Sequence, residues 1–173
     1  MNNAGIQHTA PLETFALERW DAIQAVNLRA PFLLTQAALP GMRAAGWGRV
    51  INVASVHGLV GSVHKAAYVA AKHGLVGLTK VSALETATDG ITVNAICPGW
   101  TETPILEPQI QARGEQLSTG RDAAIRSLVL EKQPNATLMP PAWIGDLAAF
   151  LCSEAGAGIT GAALPMDGGW TAQ

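Results

Sequence analysis

The sequence predicts an α/β fold built on a parallel sheet, and two patterns along the chain support this. Short runs rich in β-branched residues alternate with long stretches of helical periodicity. The runs at 49–54 and 91–97 are apolar almost throughout, as in strands that are covered on both faces. Strands that alternate with helices of this length form parallel sheets with right-handed crossover connections.

The individual elements follow from the same patterns. The predicted strands span residues 49–54, 91–97 and, more weakly, 162–166. Helical patterns cover about residues 17–45, 66–88 and 142–153, and an amphipathic stretch covers 121–132 after an irregular segment. Pro31 and Pro40 are expected to kink the first helix or end turns in it.

Composition limits the function classes that fit this chain. Its 173 residues suit one domain with a real core, and 49% are hydrophobic. A net charge of −2 with scattered Lys and Arg argues against nucleic acid and against a polybasic membrane surface. No apolar run approaches a bilayer span and no signal peptide is visible, so a cytoplasmic protein is expected. Cys97 and Cys152 lack metal-ligand spacing, so no metal site is expected.

The ends of the predicted strands carry the residues that suit a binding site. Ser55 and His57 follow the first strand, residues 98–100 (Pro-Gly-Trp) end the second, and residues 167–170 (Asp-Gly-Gly-Trp) follow the third. In open α/β sheets ligands bind beyond the carboxyl ends of the strands. These residues are therefore expected to face one crevice.

Tyr68, the only tyrosine, stands four residues before Lys72 in an Ala-rich helical stretch. Residues at this spacing are neighbours on one helix face. A cation about 4 Å from a phenolate stabilises it by roughly 4 kcal/mol at a dielectric near 20. That is enough to lower the pKa of a phenol from about 10 toward about 7, where it exchanges protons with an alcohol. An isolated pair of this kind is more often an amphipathic surface pair, so the rest of the chain has to decide.

Five segments in one order resemble the short-chain dehydrogenase/reductase family. They are NNAG at 2–5, Asn27 in VNLRAPF, Ser55 in NVAS thirteen residues before Tyr68, the Tyr68–Lys72 pair, and Pro98-Gly99 followed by Thr103. The resemblance implies a Rossmann-like parallel sheet flanked by helices, truncated at its N-terminus. Residues 1–173 would be the C-terminal portion of a single domain of a nicotinamide-dependent oxidoreductase.

The resemblance also implies a role for each matching residue. Tyr68 would be the general acid/base, with Lys72 lowering its pKa and holding the nicotinamide ribose. Ser55 would bind the substrate oxygen, and Asn27 would anchor a water that relays protons from Lys72 to solvent. The cofactor contacts would be Asn3, Ala4, Gly5, Tyr68, Lys72, Pro98, Gly99, Trp100 and Thr103.

Further segments resemble those family members that interconvert (R)-3-hydroxybutyrate and acetoacetate, a reaction of ketone body metabolism. They are HGLVGS at 57–62, KHGLVGLTKV at 72–81, AICPGW at 95–100 and the C-terminal stretch from Ile159. The implied substrate residues are Gln7, His57, Lys65, Trp100, Gln109 and Trp170. A lysine, a histidine and amides suit a carboxylate, and two tryptophans can close over a small substrate. For Lys65, a solvated position at a helix start is the alternative.

The sequence lacks a glycine-rich strand–turn–helix for a dinucleotide pyrophosphate. The acidic residue that selects NAD over NADP is absent with it, so NAD is expected and NADP stays open. The sheet is expected to have an open edge with exposed apolar surface, which favours a homo-oligomer. Because half of the cofactor's binding energy is missing, the isolated chain is expected to be weak or inactive. Two alternatives remain, namely a reductase of other ketones or ketoacyl thioesters, and a non-catalytic interaction module.

Overall fold

The computed structural model describes residues 1–172, which are organised around a parallel sheet. Its strands are β1 (Gly48–Val53), β2 (Ile91–Pro98) and β3 (Ala163–Met166), in the order β1-β2-β3. Gly48 pairs with Ile91 and Ala95 pairs with Ala163, both in parallel register. Every residue of β2 is buried, as its apolar sequence predicts for a central strand.

The described residues contain six α-helices. They are α1 (Leu17–Gln24), α2 (Ala30–Ala45), α3 (Ala66–Glu85), α4 (Glu107–Leu117), α5 (Arg121–Leu130) and α6 (Pro141–Cys152). Of these, α2, α3 and α6 pack on the sheet. On one face Val50 and Val93 pack with Ala83 of α3 and Leu39 of α2. On the other face Ile51 and Ile96 pack with Ala148 and Leu151 of α6. The core therefore lies on both sides of β1 and β2.

The first predicted helix, at 17–45, is interrupted. A π-helical turn, Ala25–Arg29, separates α1 from α2, and Pro31 lies in the first turn of α2. Asn27 lies in this turn, where its Oδ1 accepts from the Ile6 backbone N and its Nδ2 donates to the Ile6 O, both at 2.9 Å. Pro40 lies inside α2 without ending it. Because the contact between Asn27 and Ile6 is a tertiary contact, the hydrophobic periodicity of residues 17–45 does not predict it.

Helix α4 corrects the prediction of an irregular segment before residue 121. Pro108 and Gly114 disfavour a helix in the sequence pattern. Pro108, however, occupies the first turn of α4, where a backbone N–H would have no hydrogen-bond partner within the helix. Arg113 then fixes α4 on α5, because its guanidinium donates to Ser127 Oγ at 2.9 Å and to Glu131 at 2.6 Å. Packing between the two helices outweighs the weak intrinsic propensity.

The outer side of β1 has one partner within the described residues, namely Asn2. Its backbone N donates to Ile51 O and its O accepts from Val53 N, both at 2.8 Å. The Asn2 side chain also donates to Asn52 Oδ1 at 2.8 Å. The outer edge of the sheet is thus bridged at a single residue, as the sequence led us to expect. None of the helices in residues 1–172 has the length and hydropathy that crossing a bilayer requires.

Candidate active site

The carboxyl ends of the strands border one cavity of about 390 Å³, as predicted, although of residues 167–170 only Trp170 lines it. It is lined by most of the predicted site residues, namely Asn3, Gly5, Gln7, Ser55, His57, Lys65, Tyr68, Lys72, Pro98, Gly99, Trp100, Thr103, Gln109 and Trp170. Ala4 is exposed and Asn27 is buried behind the cavity, and neither is among the lining residues.

Three residues form what we call the catalytic floor, namely Ser55, Tyr68 and Lys72. Ser55 leaves β1 and caps the next turn, where His57 N donates to its Oγ at 3.1 Å. Tyr68 lines the same cavity as Ser55, and the Ser55 side chain acts to lower the pKa of Tyr68. Lys72 lies one helical turn after Tyr68, and its Nζ donates to the Val53 O at 2.8 Å. Consecutive elements, β1 and α3, thus place two hydroxyls and an ammonium at one end of the cavity.

The acid strength of this pair differs from the prediction. Burial raises the pKa of Tyr68 above its ordinary value, and the Ser55 side chain only partly offsets this. Burial also lowers the pKa of Lys72 to about 8. The prediction that Lys72 pulls the pKa of Tyr68 toward neutrality was therefore wrong for these residues. The Lys72 ammonium bonds the Val53 carbonyl and lies 5.5 Å from the centroid of the Tyr68 ring.

Asn27 lies next to the catalytic floor, because Asn27 and Lys72 both border Gly5. A Cβ on Gly5 would lie 3.7 Å from Asn27 Oδ1 and 3.9 Å from Lys72 Nζ, so the amide and the ammonium border the same small space. Both side chains are almost fully buried. This arrangement is compatible with the water-anchoring role that the resemblance implies for Asn27.

A second polar cluster surrounds Lys65, which is buried rather than solvated. Its Nζ lies 3.3 Å from His57 Nε2, donates to Gln109 Oε1 at 3.0 Å, and lies 5.5 Å from the centroid of the Trp100 ring. Burial lowers the pKa of Lys65 to about 8. Burial and the nearby Lys65 charge lower the pKa of His57 to about 4. His57 is therefore neutral at pH 7, and its Nε2 is free to accept from Lys65.

Three buried polar atoms at this cavity have no hydrogen-bond partner among residues 1–172. They are His57 Nδ1, Trp100 Nε1 and Gln109 Nε2. With His57 Nε2 accepting from Lys65, all three carry N–H donors. A buried donor without an acceptor costs about 1–3 kcal/mol. All three residues line the cavity, so a ligand that carries acceptor atoms, such as a carboxylate, is the kind of group that suits these donors.

Trp100 and Trp170 form what we call the tryptophan wall. Their rings are stacked with centroids 5.9 Å apart, and the His57 ring meets Trp170 edge-on at 5.4 Å. Asp167 holds the turn that carries Trp170, since its carboxylate accepts from Gly169 N at 3.1 Å and from the Thr171 hydroxyl at 2.6 Å.

Some lining residues were missed by the sequence analysis. Pro104, Ile105 and Leu106 precede α4, and Ile144 lies on α6. Pro104, Ile105 and Leu106 belong to the segment that was predicted to be irregular, so only a correct placement of α4 would have revealed them. Ile144 lies in a predicted helix, but its apolar side chain gave no sign of a binding site. No group of His, Cys, Asp and Glu suited to a metal ion occurs in the part of the chain that the structure describes.

Comparison with known proteins defines the class to which this fold and site belong. A family model described as enoyl-(acyl carrier protein) reductase matches residues 1–171. The chain belongs to the short-chain dehydrogenase/reductase family, whose members use NAD or NADP.

Individual relatives narrow the comparison further. The chain is 57% identical over 173 residues to the D-beta-hydroxybutyrate dehydrogenase of Cupriavidus necator, covering 100% of this chain and 67% of that protein. It is 47% identical to the protein of the same name from Rhizobium meliloti, again with 100% and 67% coverage. The chain is thus an oxidoreductase related to 3-hydroxybutyrate dehydrogenase.

Solved structures confirm the Rossmann-like fold. The levodione reductase structure matches with a TM-score of 0.89 at 35% identity and covers 99% of this chain and 65% of that one. A putative 2-deoxy-D-gluconate 3-dehydrogenase from Agrobacterium tumefaciens with bound NADP matches with a TM-score of 0.87 at 39% identity, with 99% and 66% coverage. The chain spans about two thirds of the length of these relatives.

The residues present fit one end of a nicotinamide dinucleotide. The Tyr68 hydroxyl and the Lys72 ammonium are suited to ribose hydroxyls, and Thr103 and the exposed Asn3 line the same cavity. For the pyrophosphate, the residues described contain no glycine-rich turn between a strand and the start of a helix. The fit therefore concerns the nicotinamide ribose and not the adenosine.

Proposed function

We propose that this chain carries the catalytic and substrate-binding part of an enzyme that interconverts (R)-3-hydroxybutyrate and acetoacetate with NAD. The observation that carries the proposal is the Lys65 cluster with its three unpaired donors, placed in the same cavity as Ser55 and Tyr68. The two relatives named as D-beta-hydroxybutyrate dehydrogenases support the same substrate.

The cluster and the catalytic floor would bind the two ends of one small molecule. Lys65 and the Gln109 and Trp100 N–H groups would hold the substrate carboxylate. The Ser55 and Tyr68 hydroxyls would bind the oxygen on C3. Holding the substrate at both ends fixes C3 relative to the catalytic floor, which is the main contribution of a protein to a cofactor-dependent reaction.

Proton transfer is the chemical step that falls to this chain. A bound nicotinamide would supply or accept the hydride at C3. In ketone reduction, Tyr68 gives its hydroxyl proton to the oxygen on C3, and Lys72 and Asn27 lie on the route by which a proton is restored. In alcohol oxidation, the same hydroxyl group takes the alcohol proton. The raised pKa of Tyr68 favours the neutral phenol, which is the form needed for reduction.

The tryptophan wall supports a small acid over larger ketoacyl substrates. Two stacked indoles and the apolar residues before α4 border a cavity of about 390 Å³. Unpaired buried donors also favour a small-molecule site over a purely structural interaction module. Exposed apolar side chains on α2, namely Phe32, Leu33 and Leu34, support the proposal of a homo-oligomer.

Calorimetry with acetoacetate, 2-pentanone and an acetoacetyl thioester tests the proposed substrate, with and without NADH. These compounds share a ketone, but only acetoacetate combines it with a free carboxylate. We expect acetoacetate to bind at least about tenfold more tightly than either of the others, since a charge-assisted hydrogen bond contributes about 1.5–3 kcal/mol. Equal binding of all three compounds, or binding of the thioester alone, would refute the proposal.

A further inference from the structure

Gln133 is a fully buried polar side chain that the sequence analysis did not identify. It lies three residues after α5, is 0% exposed, and belongs to neither the predicted site nor the hydrophobic core. Its Oε1 accepts from the backbone N of Trp100 at 3.1 Å. Its Nε2 donates to Asn135 Oδ1 at 2.9 Å and to the backbone O of Thr137. A buried amide with all of its groups paired holds its neighbours in one arrangement.

Two glycines show how closely the surrounding chain approaches Gln133. A Cβ on Gly99 would lie 2.6 Å from Gln133 Oε1 and 2.9 Å from the Cα of Asp167. A Cβ on Gly168 would overlap Asn135 Oδ1 and lie 2.5 Å from Gln133 Cγ. The turns that leave β2 and β3 therefore both close onto this one amide, and side chains at either glycine would push them away.

These contacts connect Gln133 to both members of the tryptophan wall. Trp100 is held directly through its backbone N. The turn before Trp170 is held through Asn135, whose backbone N donates to Gly168 O at 3.1 Å. Ala136, inside the same loop, adopts a left-handed φ of 54°, a conformation that costs energy for a residue with a Cβ. The strained conformation of Ala136 is thus held between two residues, Asn135 and Thr137, that both accept hydrogen bonds from Gln133.

We propose that Gln133 is a positioning residue that sets the spacing of the tryptophan wall and thereby the chain length of the acid that the cavity accepts. Gln133 touches neither substrate nor cofactor and acts through Trp100 and Trp170. The part of this proposal that concerns substrate length rests on the proposed function. The part that concerns the two indoles is independent of it.

The stacked indoles provide a direct readout in the near-ultraviolet circular dichroism spectrum of the full chain. The signal of the pair is defined as the part that is lost in Trp170→Phe. We expect Gln133→Leu, which keeps the volume but removes the hydrogen bonds, to lose at least about half of that signal. Asn135→Ala, at an exposed position, removes the acceptor of Gln133 Nε2 and of Thr137 N but keeps the backbone bond to Gly168, so it is expected to lose only part of the signal. If Gln133→Leu does not fold, Asn135→Ala decides the outcome.

Thr79→Val is the matched control, because Thr79 is 1% exposed and its hydroxyl bonds Asn52 and Leu75 away from the tryptophan wall. It is expected to lower the thermal unfolding midpoint and to keep the indole signal. Retention of the full signal in Gln133→Leu and Asn135→Ala, or an equal loss in Thr79→Val, overturns the proposal.

Ligand binding tests the effect on chain length. The ratio of the dissociation constants of acetoacetate and 3-oxohexanoate is expected to change about tenfold toward the longer acid in Gln133→Leu, and to stay unchanged in Thr79→Val. An unchanged ratio in Gln133→Leu overturns the role in specificity. If the unmodified chain binds neither acid, the proposed function fails, while the indole signal still decides whether Gln133 positions the wall.

Discussion

The catalytic floor and the tryptophan wall border the same cavity but are built in different ways. Ser55, Tyr68 and Lys72 come from β1 and the helix that follows it, and their bonds join residues within 19 positions of each other. Trp100 and Trp170 come from two separate turns; Gln133 bonds Trp100 across 33 positions, and Asn135 bonds the turn before Trp170. The floor is therefore fixed by regular elements, and the wall by long-range contacts between loops.

This difference suggests a division between chemistry and selectivity. Groups that transfer a proton need fixed positions relative to C3, which strand and helix backbones provide. A surface that limits substrate size can be altered by changing loop contacts and leaving the floor intact. Changes at the floor should then affect turnover, and changes around the wall should affect which ligand binds.

The largest expected effect is that of Tyr68→Phe. General acid/base catalysis contributes about 10²- to 10⁴-fold, and this substitution removes the proton-carrying hydroxyl while keeping the ring. We expect kcat for acetoacetate reduction with NADH to fall within that range, and the dissociation constant of acetoacetate to change less than about threefold. Steady-state kinetics and calorimetry measure the two quantities. Normal turnover by Tyr68→Phe would refute the assignment of the catalytic floor.

The next largest effect is expected for Lys65→Met on the substrate side. Loss of a charged donor to a carboxylate costs about 1.5–3 kcal/mol, so acetoacetate binding should weaken by about 10- to 100-fold. Met keeps an unbranched apolar stem near the Trp100 ring, so packing is largely preserved.

Lys80→Met is the control for Lys65→Met, because Lys80 lies on the exposed side of α3. Lys80→Met should leave acetoacetate binding unchanged. If Lys65→Met lowers kcat and leaves the dissociation constant of acetoacetate unaltered, Lys65 acts together with the catalytic floor. The proposed division between chemistry and selectivity would then be wrong.

Buried Lys72 should make stability depend on pH in the alkaline range. Its pKa is about 8 in the folded chain and 10.5 when exposed, so the unfolded chain binds more protons between these values. Raising the pH from about 8 to about 10 therefore disfavours unfolding. We expect the Lys72 contribution to the free energy of unfolding to rise by about 2 kcal/mol over this range.

Urea unfolding of the unmodified chain and of Lys72→Met at several pH values measures this rise. The rise should be smaller in Lys72→Met by about 2 kcal/mol, while Lys80→Met should behave like the unmodified chain. Lys65, whose pKa is also lowered by burial to about 8, is present in all three proteins, so its contribution largely cancels in the differences. Identical pH dependence of the free energy of unfolding in Lys72→Met would show that burial does not lower the pKa of Lys72.

The catalytic floor could be located from the sequence because its signals are local. The spacing of Tyr68 and Lys72 is one helical turn, and Ser55 follows a strand whose β-branched run is easily recognised. The shared crevice followed from the rule for parallel sheets. The direction of the pKa shift of Tyr68 was predicted wrongly, because burial and the orientation of Lys72 toward Val53 do not follow from spacing.

Trp100 and Trp170 were predicted from the sequence, but the elements around them were much harder to predict. Helix α4 contains Pro108 and Gly114, so its sequence indicates a loop, and its stability depends on Arg113 bonding α5. Gln133 lies in a loop without periodicity, and no nearby residue indicates that it is buried. The formation of α4 and the burial of Gln133 both depend on tertiary contacts, which cannot be predicted from a single sequence.

The smallest effects are expected for two alanine substitutions, one beside the tryptophan wall and one in the helix that carries the catalytic floor. At Gly99, beside the wall, a Cβ would meet Gln133 Oε1 and the Asp167 backbone, so Gly99→Ala should destabilise the chain by about 1.5 kcal/mol. At Gly77, in the helix that carries the floor, a Cβ would meet nothing within 4 Å, so Gly77→Ala should stabilise it by about 0.5–1 kcal/mol. The signs are opposite because Gly99 is needed for close approach, whereas Gly77 only lowers helix propensity. Urea unfolding measures both, and a stabilising Gly99→Ala would mean that the loops around Gln133 relax freely, which removes the physical distinction between wall and floor.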